Sequence, residues 1–241
     1  MSDGALNGGG PGWYGKIAGL GDFAQRRMSD DWVSLVDGWL AVAMRDARST
    51  LGERWLEVYL SAPVLRFAWA PGVVDSRWWF GVVMPSCDAV GRYFPLVVAE
   101  TRHRAPEDRI ALDHLELWYE HLGRAALATL ADGDGGSLEA LERALEDAPP
   151  WPTPGRDVAL APVGPRGTAI DGDEEARFAV PSSATLATWL RALSALELGA
   201  RLQGCSVWWR AVGDGIAGGD TVSVVRGLPD GFGFASLLEG R

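Results

Sequence analysis

Two pairs of adjacent tryptophans, Trp78-Trp79 and Trp208-Trp209, limit what this chain can fold into more than any other feature. Each pair lies in a run rich in β-branched and aromatic residues, 78–84 and 206–212, and such runs read as strands. Successive side chains of a strand point to opposite faces of its sheet, so each pair sends one indole to either side. Both faces then need apolar cover, which helices packed on both of them supply. The sequence offers those helices. Trp32, Leu35, Val36, Trp39, Leu40, Ala43 and Met44 recur at helical spacing. Ser29 stands ahead as a cap, Asp30 and Asp31 make an acidic first turn, and Gly52 is the stop. Further helical patterns cover 54–60, 107–130, 137–147, 182–198 and 229–238, and further strands are expected at 13–17, 64–70, 94–99 and 221–225. Strands interspersed with helices favour an α/β sandwich with a mixed sheet.

Composition narrows the function classes. The chain has 241 residues, enough for one large domain or two small ones with a sizeable core. Its net charge of -10 falls wholly in residues 106–241, while 1–105 is neutral. Nucleic acid and anionic membrane are therefore poor partners for the second half. Nearly every base is Arg; Lys16 is the only lysine, which reads as base-composition bias rather than function. Two cysteines, Cys87 and Cys205, make no disulfide framework. Residues 1–11 lack the basic and apolar regions of a secretory leader, and no apolar run approaches the ~20 residues of a membrane helix. A cytoplasmic protein is the expectation. The Gly-rich residues 1–12 read as a disordered tail, and the Pro-rich stretch 148–181 as an irregular crossing or linker.

The strands at 78–84 and 94–99 flank Pro85-Ser86-Cys87-Asp88-Ala89-Val90-Gly91-Arg92-Tyr93, a short polar segment with turn chemistry. Asp88 and Arg92 thus sit at the tip of a hairpin. Catalysis there lacks support. Cys87 and Ser86 have no base beside them, since His103, His114 and His121 lie on or near the long helix, and no G-x-S-x-G elbow surrounds Ser86. Gly19-Leu20-Gly21-Asp22-Phe23-Ala24 fits the relaxed dinucleotide pattern. Asp22, however, would stand where a pyrophosphate meets backbone amides, and the next helix starts near Asp30 rather than at the glycines. Cys87 and Cys205 lack a C-x-x-C partner; Asp171-Gly172-Asp173 opens like a calcium loop but has Ala176 and Ser182 where Gly and Glu are needed. No cofactor or metal is expected. What remains is Gly21, Asp22 and Phe23 with Ser86, Asp88 and Arg92. Either the acids cap turns and Arg92 pairs with one of them, or the group forms a recognition surface at one end of the sheet.

Several pieces in order resemble the TagF family, also called ImpM, of type VI secretion-associated proteins. They are Gly12-Trp13-Tyr14-Gly15-Lys16, Gly21-Asp22-Phe23, Gly52-Glu53-Arg54-Trp55, Pro85-Ser86 with Asp88, Val90-Gly91-Arg92, Phe94-Pro95-Leu96, Ser206-Val207-Trp208-Trp209, and Gly227-Leu228-Pro229 with Phe234 and Leu237-Leu238. Cys87 departs from the family's more usual apolar residue. The resemblance implies a single domain over 13–241, a three-layer α/β/α sandwich around a mixed, largely antiparallel sheet. It also implies a cytoplasmic, non-enzymatic repressor of type VI secretion that acts post-translationally. The implied partner is the system's forkhead-associated scaffold protein, with a regulatory phosphatase in the same set. A small-molecule or nucleotide sensor of the same pathway is the alternative reading, and a cysteine or serine hydrolase a third.

Overall fold

The computed structural model describes residues 10–103, 105, 109–131, 136–151, 161–162, 178–179, 185–210 and 221–240. In chain order the strands are β1 (Gly12–Gly15), β2 (Ala24–Arg26), β3 (Leu65–Trp69), β4 (Trp78–Met84), β5 (Leu96–Arg102), β6 (Ala161–Pro162), β7 (Phe178–Ala179), β8 (Cys205–Arg210) and β9 (Ser223–Arg226). The helices are α1 (Asp30–Leu51), α2 (Trp55–Ser61), α3 (Arg109–Ala128), α4 (Leu138–Glu146), α5 (Leu186–Leu202) and α6 (Gly231–Glu239). Seven strands form one sheet in the order β2-β1-β5-β4-β3-β8-β9, while β6 and β7 pair separately.

Every ladder of that sheet is antiparallel, and among the described residues the one parallel contact is an isolated bridge from Cys205 to Gly227. The sheet is antiparallel in every ladder, in line with the largely antiparallel sheet expected. Connection length explains it: β3, β4 and β5 follow one another through loops too short for a crossover and build a meander.

The tryptophan pairs divide as strand geometry requires. Trp79 and Trp208 enter one core, with Phe67, Trp69 and Val97 of the sheet and the apolar sides of α1, α2 and α6. Trp78 enters the other, with Phe80, Val82 and Val98 and the apolar sides of α3 and α4, and Trp209 packs against its margin. Each fully buried large apolar side chain contributes about 1.5–3 kcal/mol, so the two cores carry most of the stability.

Helix α1 starts where its sequence says. The Ser29 hydroxyl accepts the Trp32 N–H at 3.3 Å, and Gly52 closes the helix at φ 56°. Leu35, expected on the packed face, is exposed. The short edge strand β2 was not expected. It pairs with β1, Trp13 opposite Arg26, and turns the segment after Gly21 back along the sheet. Of the expected tail 1–12, residues 1–9 lie outside the described residues, and Gly12 already opens β1 with Pro11 buried ahead of it. The acidic residues 171–175, the Gly-rich turn 213–219 and most of the Pro-rich 148–181 also lie outside the described residues. No helix among the described residues is long and apolar enough to cross a membrane.

Candidate functional site

The loop 85–95 connects β4 to β5, whose last and first residues, Met84 and Leu96, pair directly. Inside it the chain doubles back on itself. Cys87 bridges Tyr93, the Phe94 N–H donates to the Ser86 carbonyl at 3.0 Å, and the Asp88 N–H donates to the Arg92 carbonyl at 3.1 Å. Gly91 takes φ 80°, where a side chain would be strained, and its N–H donates to the Asp88 carbonyl at 3.0 Å. The sequence-expected hairpin tip is therefore a closed, hydrogen-bonded structure.

Asp88 is its hub. The carboxylate is fully buried and accepts from four donors. Lys16 Nζ donates to Oδ2 at 2.9 Å and Arg92 Nε to the same oxygen at 2.6 Å. The backbone N–H groups of Arg92 and Val90 donate to Oδ1 at 2.8 and 3.1 Å. Burial by itself would raise this carboxyl. The Lys16 and Arg92 cations and the two N–H groups outweigh it and hold Asp88 well below the usual carboxylate range. At working pH it is a fixed anion whose charge is fully answered.

The other candidates attach to this hub or leave it. Arg92 spends a second donor on the Gly21 carbonyl at 2.8 Å, which ties the Gly21-Asp22-Phe23 segment to the loop. The Ala89 N–H strengthens the tie by donating to the Leu20 carbonyl at 2.8 Å. Ser86 is buried, and its hydroxyl donates to the Lys16 carbonyl at 2.8 Å. Asp22 stays out: it is exposed, and its carboxylate accepts the Phe23 N–H at 2.8 Å. Arg92 pairs with Asp88 and not with Asp22. Strand β2, not a helix, follows the glycines of the relaxed dinucleotide pattern, so no helix N-terminus faces them.

Two residues that sequence reasoning passed over hold the site. Lys16, which composition alone assigns to base-composition bias, is buried with its ammonium between Asp88 and the Arg92 carbonyl, 3.3 Å away. Its signal was its solitude: one lysine in a chain whose other bases are all Arg, just past the Gly-Trp-Tyr-Gly strand. A lysine reaches an enclosed point charge on a slim stem where a planar guanidinium needs width. Tyr59 of α2 is the second. Its hydroxyl donates to the Ser86 carbonyl at 2.9 Å and accepts the Ser86 N–H at 3.0 Å. Burial raises the Tyr59 phenol well above its ordinary value, so it stays protonated.

Aromatic rings surround the polar hub. Phe23 stacks on Tyr14 at 5.9 Å, meets Phe94 edge-on at 4.8 Å, and lies 4.8 Å from Lys16 Nζ. Tyr93 meets Tyr59 edge-on at 5.8 Å. The outer side of this group is in solvent: Phe23 is 44% exposed, Tyr93 39% and Val90 70%, and Leu56 and Leu60 of the adjoining α2 are exposed as well. Chemically the site spends Lys16, Ser86 and Asp88 inward and turns Phe23, Val90 and Tyr93 outward, with Asp22 and Arg92 exposed at its edge. Among the described residues no cluster of His, Cys, Asp and Glu could hold a metal ion, and Cys87 and Cys205 are free thiols.

Comparison with known proteins agrees with the motifs. A family model described as the TagF N-terminal domain, type VI secretion system-associated, matches residues 12–148, which contain the whole tip. Among solved structures, that of PA0076 from Pseudomonas aeruginosa PAO1 is similar at 34% identity and a TM-score of 0.72, over 96% of this chain and 94% of that one. No curated protein matches.

Proposed function

This chain belongs to the TagF family of type VI secretion-associated proteins, and on that premise we propose that it restrains assembly of the secretion machine by binding. The occupant of its tip is the system's forkhead-associated scaffold protein, which is thereby kept from the membrane complex. A regulatory phosphatase belongs to the same circuit, and the work is post-translational, cytoplasmic and without catalysis, carried by one domain over 13–241. The observation that carries the reading is the division of labour at the tip. Lys16, Ser86 and Asp88 are consumed by internal bonds, which leaves no free base beside a nucleophile. Phe23, Val90 and Tyr93 stand out on that rigid base, as the anchors of a protein interface do.

The test is co-purification of the full chain with its scaffold protein. Phe23→Ala with Tyr93→Ala is expected to weaken capture at least about tenfold, the scale of a hot-spot truncation, with an unchanged circular dichroism spectrum. Full-strength capture by a folded double variant would overturn the reading.

A further inference from the structure

The loop 85–95 has no continuous row of N–H groups to offer an incoming strand. The Ser86 N–H donates to the Tyr59 hydroxyl, the Asp88 N–H to the Arg92 carbonyl and the Phe94 N–H to the Ser86 carbonyl. Ala89 spends its N–H on Leu20, and Val90, Gly91 and Arg92 spend theirs on Asp88. A segment that docks here cannot join a ladder, so its own backbone groups must be satisfied before it arrives. A helix meets that condition. The exposed apolar groups of the tip continue onto α2, because Tyr93 meets Tyr59 edge-on at 5.8 Å. At about 100° per residue around a helix, Leu56 and Leu60 follow Tyr59 on one side, and Glu57 comes after them. Leu56 and Leu60 are 43% and 60% exposed. Beyond them lies an acidic margin. Glu57, and Glu53 in the single turn Gly52–Arg54 ahead of α2, are exposed and in no ion pair among the described residues. The neighbouring bases are already engaged, Arg54 with Glu239 at 2.8 Å and Arg92 with Asp88 at 2.6 Å.

On the reading of the tip as a binding surface, which this inference deepens, we propose that the tip and the outer side of α2 together seat an amphipathic helix of the partner protein. The apolar stripe of that helix is bordered by lysine or arginine where it meets Glu53 and Glu57. Each property follows from one observation. The spent backbone of the loop calls for a helix rather than an extended peptide. The apolar side chains from Tyr93 to Leu60 call for a stripe of large apolar residues at i, i+3, i+4 and i+7. The two free glutamates call for positive charge along one border, which sets register and speeds encounter more than it adds affinity. The preference is local, since residues 1–105 carry no net charge and the acidic excess belongs to 106–241. An anionic lipid surface, which also takes apolar anchors, is repelled by the same glutamates.

The experiment titrates the full chain against three labelled peptides that share one leucine stripe, read by fluorescence anisotropy. One peptide borders the stripe with lysine, one with glutamate, and the third is the lysine peptide broken by prolines. The lysine peptide is expected to bind at least about tenfold tighter than either of the others. Glu53→Lys with Glu57→Lys reverses the preference for lysine over glutamate. Glu146→Lys with Asp147→Lys makes the same change of charge at the end of α4, on the other face of the sheet, and leaves the preference within about twofold. Leu56→Ser with Leu60→Ser, at exposed positions that the fold does not need, weakens the lysine peptide at least about tenfold with an unchanged circular dichroism spectrum. Equal affinity for the lysine and glutamate peptides overturns the proposal. So does a preference that follows the α4 change as strongly as the α2 change, or undiminished binding of the proline-broken peptide. Scaffold capture keeps the two readings apart. Capture that persists while the lysine peptide shows no preference overturns the helix alone. Absent capture beside a tip specific for the lysine peptide overturns the scaffold assignment and supports the helix.

Discussion

Asp88 and Glu100 are both buried carboxylates paired with a base, one in the loop that feeds β5 and one near the far end of that strand, yet their environments push them in opposite directions. Asp88 accepts from Lys16, from the Arg92 side chain and from two backbone N–H groups, and it is held below the usual carboxylate range. Glu100 is also buried but, among the described residues, meets one donor, Arg102 Nη2 at 2.6 Å; burial raises it, and Arg102 offsets that only in part. Arg102 in turn leaves its buried Nε without a partner and lays its guanidinium 4.6 Å from the Trp151 ring. A buried ion pair is as good as its remaining hydrogen bonds. The tip is a completed network that fixes a shape, and the Glu100 pair is a half-completed one that the fold tolerates.

The comparison can be broken first at Lys16. Lys16→Met strips the tip of one cation and leaves a buried carboxylate short of charge, and it is expected to cost about 3 kcal/mol in urea unfolding. The matching change at the other end, Glu100→Met with Arg102→Met, removes both partners at once. It is expected to leave stability within about 1 kcal/mol of the parent, or above it. Equal losses from the two variants would erase the distinction. Arg92→Ala tests the outer member of the tip. Its side chain is 57% exposed, so its ion pair contributes under about 1 kcal/mol, and its larger effect is expected on scaffold capture.

Acidity sharpens the same contrast at the smallest scale. The folded carboxyl of Asp88 is depressed, so its stabilisation is complete above the ordinary carboxylate range and is lost as pH falls through that range toward its low folded value. Glu100 has the opposite sign. Its folded form keeps a proton that the unfolded form has released, so stability declines as pH rises from the ordinary range to the raised value. Glu100→Gln should remove the second slope and keep the first, measured by urea unfolding between about pH 3 and pH 8.

What the sequence disclosed follows from how local each cause was. The tryptophan pairs declared a sheet covered on both faces because strand alternation is a nearest-neighbour rule. Ser29 and Gly52 bounded α1 because caps act within one turn. The hairpin 78–102 was legible for the same reason. What stayed hidden depends on contacts distant in sequence. Lys16 meets Asp88 across 72 positions, Tyr59 meets Ser86 across 27, and neither bears a local mark of its partner. Strand β2 has three residues without an apolar pattern, and only its pairing with β1 makes it a strand. The sequence left open which acid Arg92 pairs with; it is Asp88, four residues before it, at the distance a tight turn closes.

Asp88 is a fully answered anion and Glu100 an incompletely answered one. The direct measurement is a carbon-13 NMR titration of the side-chain carboxyls, assigned with Asp88→Asn and Glu100→Gln. Ordinary carboxyls titrate near about pH 4. The Asp88 signal should stay that of the ionised form through this range and below it, while the Glu100 signal moves above it. Two carboxyls titrating together at the ordinary value, or Glu100 losing its proton before Asp88, would contradict the account.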